Sequence, residues 1–233
     1  EAGDTTNLSA GTVTLPTTII TGQTEKTTLV DADKFLISDS AASGAFKYVQ
    51  KSNLPGGTLV EVAQSSISAG SSVSAVEFSN IFSSSYNTYF VRLSKIRFAG
   101  NTSLQMRFYS DTGTTEFSGS YYYWALYGRD VTGNTITDNT NGENRFYLSS
   151  AAVDYDQPAD GGLTGFMYID NPLANDNFSV TTYGQMLYRN TSNVYLGHNF
   201  MGFYSGSSPR YGFKLYGSSN VEYADITVYG VEP

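Results

Sequence analysis

Thr88-Tyr-Phe-Val-Arg-Leu-Ser-Lys-Ile-Arg-Phe98 decides the fold class. Val91 and Leu93 share one parity and Ile96 and Phe98 the other, so apolar residues recur with a period of two rather than 3.6. A bulge near Ser94-Lys95, one extra residue in the strand, reconciles the two phases. Downstream, Leu104, Met106 and Phe108 alternate with Gln105, Arg107 and Tyr109, which predicts a half-buried strand. Upstream, Leu59 to Ala63 and Val73 to Phe78 read as strands, with Val76 and Phe78 on one face.

Further strands are predicted at Tyr121 to Tyr127, Arg145 to Leu148, Gly165 to Ile169, Ser179 to Tyr188, Val194 to Phe203, Tyr211 to Tyr216 and Asp225 to Tyr229. Turn signals separate them: Asp111-Thr-Gly113, Thr132-Gly-Asn134, Asn141-Gly142, Asp160-Gly-Gly162 and Gly206-Ser-Ser-Pro209. No window sustains a helical period. About ten strands joined by short turns predict an all-β chain, an antiparallel β-sandwich or jelly roll. Trp124-Ala-Leu-Tyr-Gly128, Phe213-Lys-Leu-Tyr-Gly217 and Ile226-Thr-Val-Tyr-Gly230 share the pattern apolar-x-apolar-Tyr-Gly. It reads as three strands with a common exit, Gly permitting a turn after Tyr. The last of them is expected to close the sheet.

Ahead of this region, Pro55-Gly56-Gly57 breaks the chain. Residues 58–233 are read as the C-terminal sandwich and 27–57 as a small β connector. In the connector, Phe35-Leu-Ile37 and Ala45 to Gln50 form a hairpin around the polar stretch Ser38 to Gly44. A lone hairpin is marginal in water, so this one needs partners. Residues 1–26 carry Thr12-Val-Thr-Leu15 and Thr17-Thr-Ile-Ile-Thr21 on either side of Pro16. They are β-prone but poor in large apolar groups, and would order only against another surface, by strand addition, or remain a flexible tail.

Composition narrows the function. The chain of 233 residues has a net charge of −8, which opposes a phosphate-neutralising grip on nucleic acid or a basic membrane patch. No apolar run approaches the ~18 residues of a membrane helix. There is no cysteine, hence no disulfide or thiolate site. The sequence starts at Glu1 with neither Met nor a signal-like run, as in a processed form or one lacking an N-terminal piece. Asn-x-Ser/Thr triplets at Asn7, Asn101, Asn177 and Asn190 are expected by chance in so Asn-, Ser- and Thr-rich a chain.

Candidate site residues are few. His198 is the one histidine, so any triad or histidine metal site would rest on it alone, and a structural or surface role is expected. No Gly-rich phosphate loop opening a helix is present. Asp154, Asp156 and Asp160 cluster, with Asp170 and Asp176 nearby. Such carboxylates could hold calcium or, in a pair, hydrolyse a glycoside. Their setting, Val153-Asp-Tyr-Asp-Gln-Pro-Ala-Asp-Gly-Gly162, has the composition of a solvated loop. No catalytic residue, metal or cofactor is therefore expected. Asp31 and Asp33 read as turn or strand-edge caps. Tyr121-Tyr-Tyr-Trp124 is the most distinctive feature: aromatic faces suit sugar rings, although alternation puts at least one pair in a core or subunit contact. The ligand-binding candidates are thus Tyr121, Tyr122, Tyr123, Trp124, Asp154, Tyr155 and Asp156.

Two stretches carry a resemblance. Asp31 to Leu54, with Asp-x-x-Phe-Leu-Ile-Ser-Asp-Ser and Lys-Tyr-Val-Gln-Lys-Ser-Asn-Leu, resembles connector modules of tailed-bacteriophage fibre proteins. Ile67 to the end resembles β-sandwich domains of phage fibre and virion-surface proteins. The likeness rests on Val76-Glu-Phe-Ser-Asn-Ile-Phe-Ser-Ser-Ser-Tyr-Asn-Thr-Tyr-Phe-Val-Arg-Leu93, Leu104-Gln-Met-Arg-Phe108 and Phe213-Lys-Leu-Tyr-Gly217. Such domains usually end soon after the last motif, whereas here Ser218 to Pro233 adds another strand. The resemblance implies a non-enzymatic virion structural protein, a homotrimer on the particle surface. The resemblance does not fix tail over head or adhesion over decoration; the reading adopted is an N-terminus attached to other virion proteins and a sandwich that binds a host-surface glycan, with no nucleic-acid partner and no membrane insertion, as the composition indicates. The alternatives are a capsid decoration or head-fibre protein, a secreted carbohydrate-binding module or adhesin, a glycan-degrading enzyme, and a subunit of an extracellular filament built by N-terminal strand donation.

Overall fold

A computed structural model describes residues 32–39, 45–50, 59–117, 122–130, 135–149, 162–175, 180–190 and 194–232. The chain divides into two compact units, Glu1–Gly56 and Gly57–Pro233. In the first, β1 (Lys34–Asp39) pairs antiparallel with β2 (Ala45–Gln50), from Lys34 opposite Gln50 to Asp39 opposite Ala45. Lys34 Nζ lies 4.4 Å from the centroid of the Tyr48 ring, which is otherwise exposed.

The second unit is all-β and antiparallel, without helix among the described residues. Its strands are β3 (Leu59–Ile67), β4 (Val73–Phe78), β5 (Thr88–Phe98), β6 (Gln105–Tyr109), β7 (Tyr122–Asp130), β8 (Thr135–Glu143), β9 (Phe146–Tyr147), β10 (Leu163–Asp170), β11 (Val180–Arg189), β12 (Tyr195–Tyr204) and β13 (Gly212–Val231). One sheet runs β8-β7-β12-β11-β10-β5-β13-β6-β9, with β3 and β4 also paired to β13. It curls into a sandwich because β13 serves both layers. Its C-terminal half lies between β3 and β5, and its N-terminal half between β4 and β6. Side chains from the two halves close the core: Phe108 of β6 meets Tyr204 of β12 at 6.4 Å and Phe146 at 6.0 Å, both edge-on. Phe213 of β13 packs 5.1 Å from Phe78 of β4.

The two segments expected as separate strands, Tyr211 to Tyr216 and Asp225 to Tyr229, are therefore one strand of 20 residues, central rather than closing. Its pairing with β4 skips between Tyr216 and Val221, over Gly217-Ser-Ser-Asn220. Thr102 pins this passage, its Oγ1 accepting from Ser218 N at 2.7 Å. A Cβ on Gly217 would sit 2.5 Å from Thr102 Cγ2, so glycine is required there by a neighbour rather than by a turn. Gly128 and Gly230 likewise lie inside their strands, against Gly197 O and the Tyr86 ring. The repeated Tyr-Gly marks close approach of elements, not a shared exit.

The bulge expected near Ser94-Lys95 is present. Lys95 has φ 50°, and pairing to β10 steps from Leu93–Gly165 to Ile96–Leu163, which returns Ile96 and Phe98 to the core. β6 departs from expectation: Gln105 and Tyr109 are buried as well as Met106 and Phe108, because further groups cover its second face. Arg145 Nη1 donates to Gln105 Oε1 at 3.0 Å, and Tyr109 pairs with Glu116 in an isolated bridge. β8 was not foreseen. Its residues, Thr-Ile-Thr-Asp-Asn-Thr-Asn-Gly-Glu, are mostly polar, as suits the end of a sheet. Asn141-Gly142, expected to be a turn, is inside it: Gly142 has φ 67°, and the register slips by one residue between Thr140–Trp124 and Glu143–Tyr122.

Candidate functional site

The outer face of the larger layer is built by alternation. In β10, Leu163, Met167 and Ile169 point to the core, so Phe166 and Tyr168 face outward. In β11, Val180, Thr182, Met186 and Tyr188 are buried, which turns Tyr183, Gln185 and Leu187 out. In β12, Leu196, His198, Phe200 and Tyr204 are buried, leaving Tyr195, Asn199 and Met201 outside. Antiparallel register then sets these residues in rows across the strands.

One row runs Tyr229, Phe90, Tyr168, Tyr183, Met201. Its rings touch in sequence: Tyr229 to Phe90 at 6.0 Å, Phe90 to Tyr168 at 5.2 Å and Tyr168 to Tyr183 at 5.3 Å, the last pair nearly parallel at 21°. The next row runs Arg92, Phe166, Gln185, Asn199, Tyr127. Phe166 is held by Phe90 at 6.0 Å and by Tyr168 edge-on at 6.1 Å. Beyond it stand Thr164, Leu187 and Gly197. Tyr127, Tyr183, Leu187 and Met201 are all exposed, 44–64% of each being accessible.

Where Gly197 lacks a side chain, a groove of about 550 Å³ opens between Tyr127, Phe166, Gln185, Leu187 and Asn199. That is within the range of about 300–1,000 Å³ usual for small-molecule sites. A Cβ on Gly197 would meet only Leu187 Cδ1, at 3.9 Å. Behind the groove the strands pack closely: a Cβ on Gly128 would be 2.3 Å from Gly197 O, and one on Gly165 2.1 Å from Gln185 O. Tyr183, in the neighbouring row, has its hydroxyl pKa raised, by partial burial first and then by the Asp170 carboxylate, so it stays a donor at neutral pH. Asp170 in turn accepts from Thr88 Oγ1 at 2.8 Å.

His198 lies beneath the groove on the core side. Its Nε2 is 2.8 Å from Leu148 O, and its ring meets Tyr188 edge-on at 5.4 Å. Burial pushes its pKa below the ordinary value, partly offset by the Leu148 carbonyl, so the neutral imidazole with Nε2–H donating fits the site.

Of the sequence candidates, Tyr122, Tyr123 and Trp124 belong to β7, paired with Tyr204, Phe203 and Gly202 of β12. Tyr121, Asp154, Tyr155 and Asp156 lie outside the described residues, as do Asp160 and Asp176. Tyr127, Phe166, Gln185 and Asn199 were not singled out from sequence, although alternation in each strand already marks them as outward. Among the described residues no group of three His, Asp or Glu side chains is placed to hold a metal, and no helix is long and apolar enough to cross a membrane. Comparison of the chain with protein-family models, curated proteins and solved structures returned no match.

Proposed function

We propose that this chain is a non-enzymatic surface protein of a virion, of the fibre type its sequence resembles, and that its sandwich binds a host-surface glycan through the outer face of β7, β12, β11 and β10. The outward-facing aromatic row, half-buried from Tyr229 to Tyr168 and exposed at Tyr183, beside an open groove carries this reading. Rings that present a flat apolar face and an accessible hydroxyl suit saccharides, whose own faces alternate between C–H and O–H. The described residues lining the groove include no carboxylate, which fits binding rather than acid–base hydrolysis. Attachment to the particle is assigned to the N-terminal unit, and the chain to a homotrimer, because the β1–β2 hairpin is too small to be stable without partners.

Affinity electrophoresis of the full chain in gels containing bacterial surface polysaccharides, with a reducing-end assay and light scattering alongside, tests this reading. Retardation by a polysaccharide, no release of reducing ends and a trimeric mass are the expected results. Release of reducing ends overturns the non-enzymatic assignment, absence of retardation the glycan assignment, and a stable monomer at micromolar concentration the fibre assignment.

A further inference from the structure

We infer that the groove takes an uncharged oligosaccharide lying across the strands, with one sugar against Phe166, one against Tyr127, and the hydroxyls between them on Gln185 and Asn199. The inference rests on the glycan reading above and adds the class of sugar, its direction and its contact residues.

Direction follows from register. Phe166, Gln185, Asn199 and Tyr127 stand opposite one another on β10, β11, β12 and β7. Three inter-strand steps of roughly 4.8 Å span about 14 Å, enough for a short chain of sugars and too much for one ring. An occupant running along β11 would pass from Gln185 to Leu187 on one side or Tyr183 on the other, and would lose the side-by-side amides of Gln185 and Asn199.

Class follows from the functional groups. The described lining residues include no Asp, Glu, Lys or Arg, and His198 is buried and neutral. Among these lining residues sulfate or uronate would find no cation and an amino sugar no carboxylate, and Arg92, beyond Phe166 in the row, is paired with Asp225. The amides of Gln185 and Asn199 each offer a carbonyl acceptor and an NH₂ donor, which suits hydroxyls that both give and accept. Thr164 adds a third such group at the margin. Apolar ends and an amide centre therefore match a neutral chain whose ring faces stack and whose edges hydrogen-bond.

Gly197 controls access. It forms the floor at Leu187, and a side chain there would rise into the groove without striking the fold. The test titrates the full chain calorimetrically with short neutral hexose and N-acetylhexosamine oligomers and with uronate-bearing oligomers of equal length. A neutral oligomer should bind, with affinity insensitive to added salt. Gly197→Phe should abolish binding. Gln185→Ala and Asn199→Ala, both outward on the sheet, should each weaken it about tenfold, as loss of one or two net hydrogen bonds implies. All three variants should melt with the parent. Neutral binding that survives Gly197→Phe or both amide substitutions overturns the placement while leaving glycan binding intact. Binding of uronate oligomers alone overturns the class. Failure of every oligomer, neutral or acidic, overturns this inference and the glycan reading with it.

Discussion

Gly128 stands opposite His198 in the β7–β12 ladder, one position along from Gly197, and the structure predicts opposite outcomes for the same substitution at the two glycines. Neither has positive φ, so alanine suits both backbones. At Gly128 a Cβ would stand 2.3 Å from Gly197 O, 2.3 Å from His198 Cβ and 2.6 Å from His198 Cα. These atoms belong to a paired strand and cannot swing away as a side-chain tip would. Overpacking costs about 1–3 kcal/mol, and obstruction by backbone puts Gly128→Ala at the upper end. The reduced entropy of the unfolded chain returns about 0.4–1 kcal/mol, leaving a net loss of about 2 kcal/mol. At Gly197 the nearest atom is Leu187 Cδ1 at 3.9 Å, so only the entropic gain remains. For a domain of this size 1 kcal/mol corresponds to about 2–4 °C. Calorimetric melting should therefore show Gly128→Ala about 4–8 °C below the parent and Gly197→Ala about 1–4 °C above it. If Gly128→Ala melts with the parent, or Gly197→Ala falls as far as Gly128→Ala, the close approach of β7 and β12 is wrong, and so is the open floor of the groove.

Phe213→Ala should cost about 3–5 kcal/mol in a denaturant titration, because a fully buried ring packed on Phe78 and Phe82 holds the smaller layer to β13; a loss under about 1 kcal/mol would refute that packing. Stability should fall as pH drops below about 6.5, since the unfolded chain protonates His198 at its ordinary value while the folded chain keeps it neutral to lower pH. The ring meets Tyr188 edge-on and the Leu148 carbonyl, neither of which carries a charge to balance an imidazolium, so His198→Gln should flatten the slope between pH 7.5 and 5.5; an unchanged slope would count against it. Glu116 adds a second, more acidic limb. Burial raises its pKa, but hydrogen bonds from Lys214 and Arg107 prevail and hold it below 4.5, so its stabilising share is complete above that value and lost as pH falls through the folded pKa. Glu116→Gln should remove that limb from the unfolding curve.

The strands were legible where one face is buried and the other is not, because alternation records burial directly. Val73 to Phe78 and Thr88 to Phe98 have the expected bounds, and the phase change in the second revealed its bulge. Legibility failed where burial is two-sided or absent. β6 is covered on both faces by groups remote in sequence, and β8 lies at the end of the sheet with almost no apolar signal. Gly217-Ser-Ser-Asn220 reads locally as a turn. It instead carries one strand from one layer to the other, because Thr102 and β5 hold it straight enough to continue.

The groove was hidden for a different reason. No segment contains it: Tyr127, Phe166, Gln185 and Asn199 come from four strands and share a site only through three registers. A shift of one residue in any of them would turn a member of the row to the core. Sequence gives each strand its parity but not its partner's offset, so it can mark a residue as outward without saying what stands beside it. The aromatic residues that are adjacent in sequence are instead Tyr121 to Trp124. Adjacency along a strand divides such residues between two faces, whereas the row that forms a surface runs across strands. Sugar-sized sites on a sheet follow the second geometry, so three of the four residues in that row, Phe166, Gln185 and Asn199, lie far along the chain from Tyr121 to Trp124.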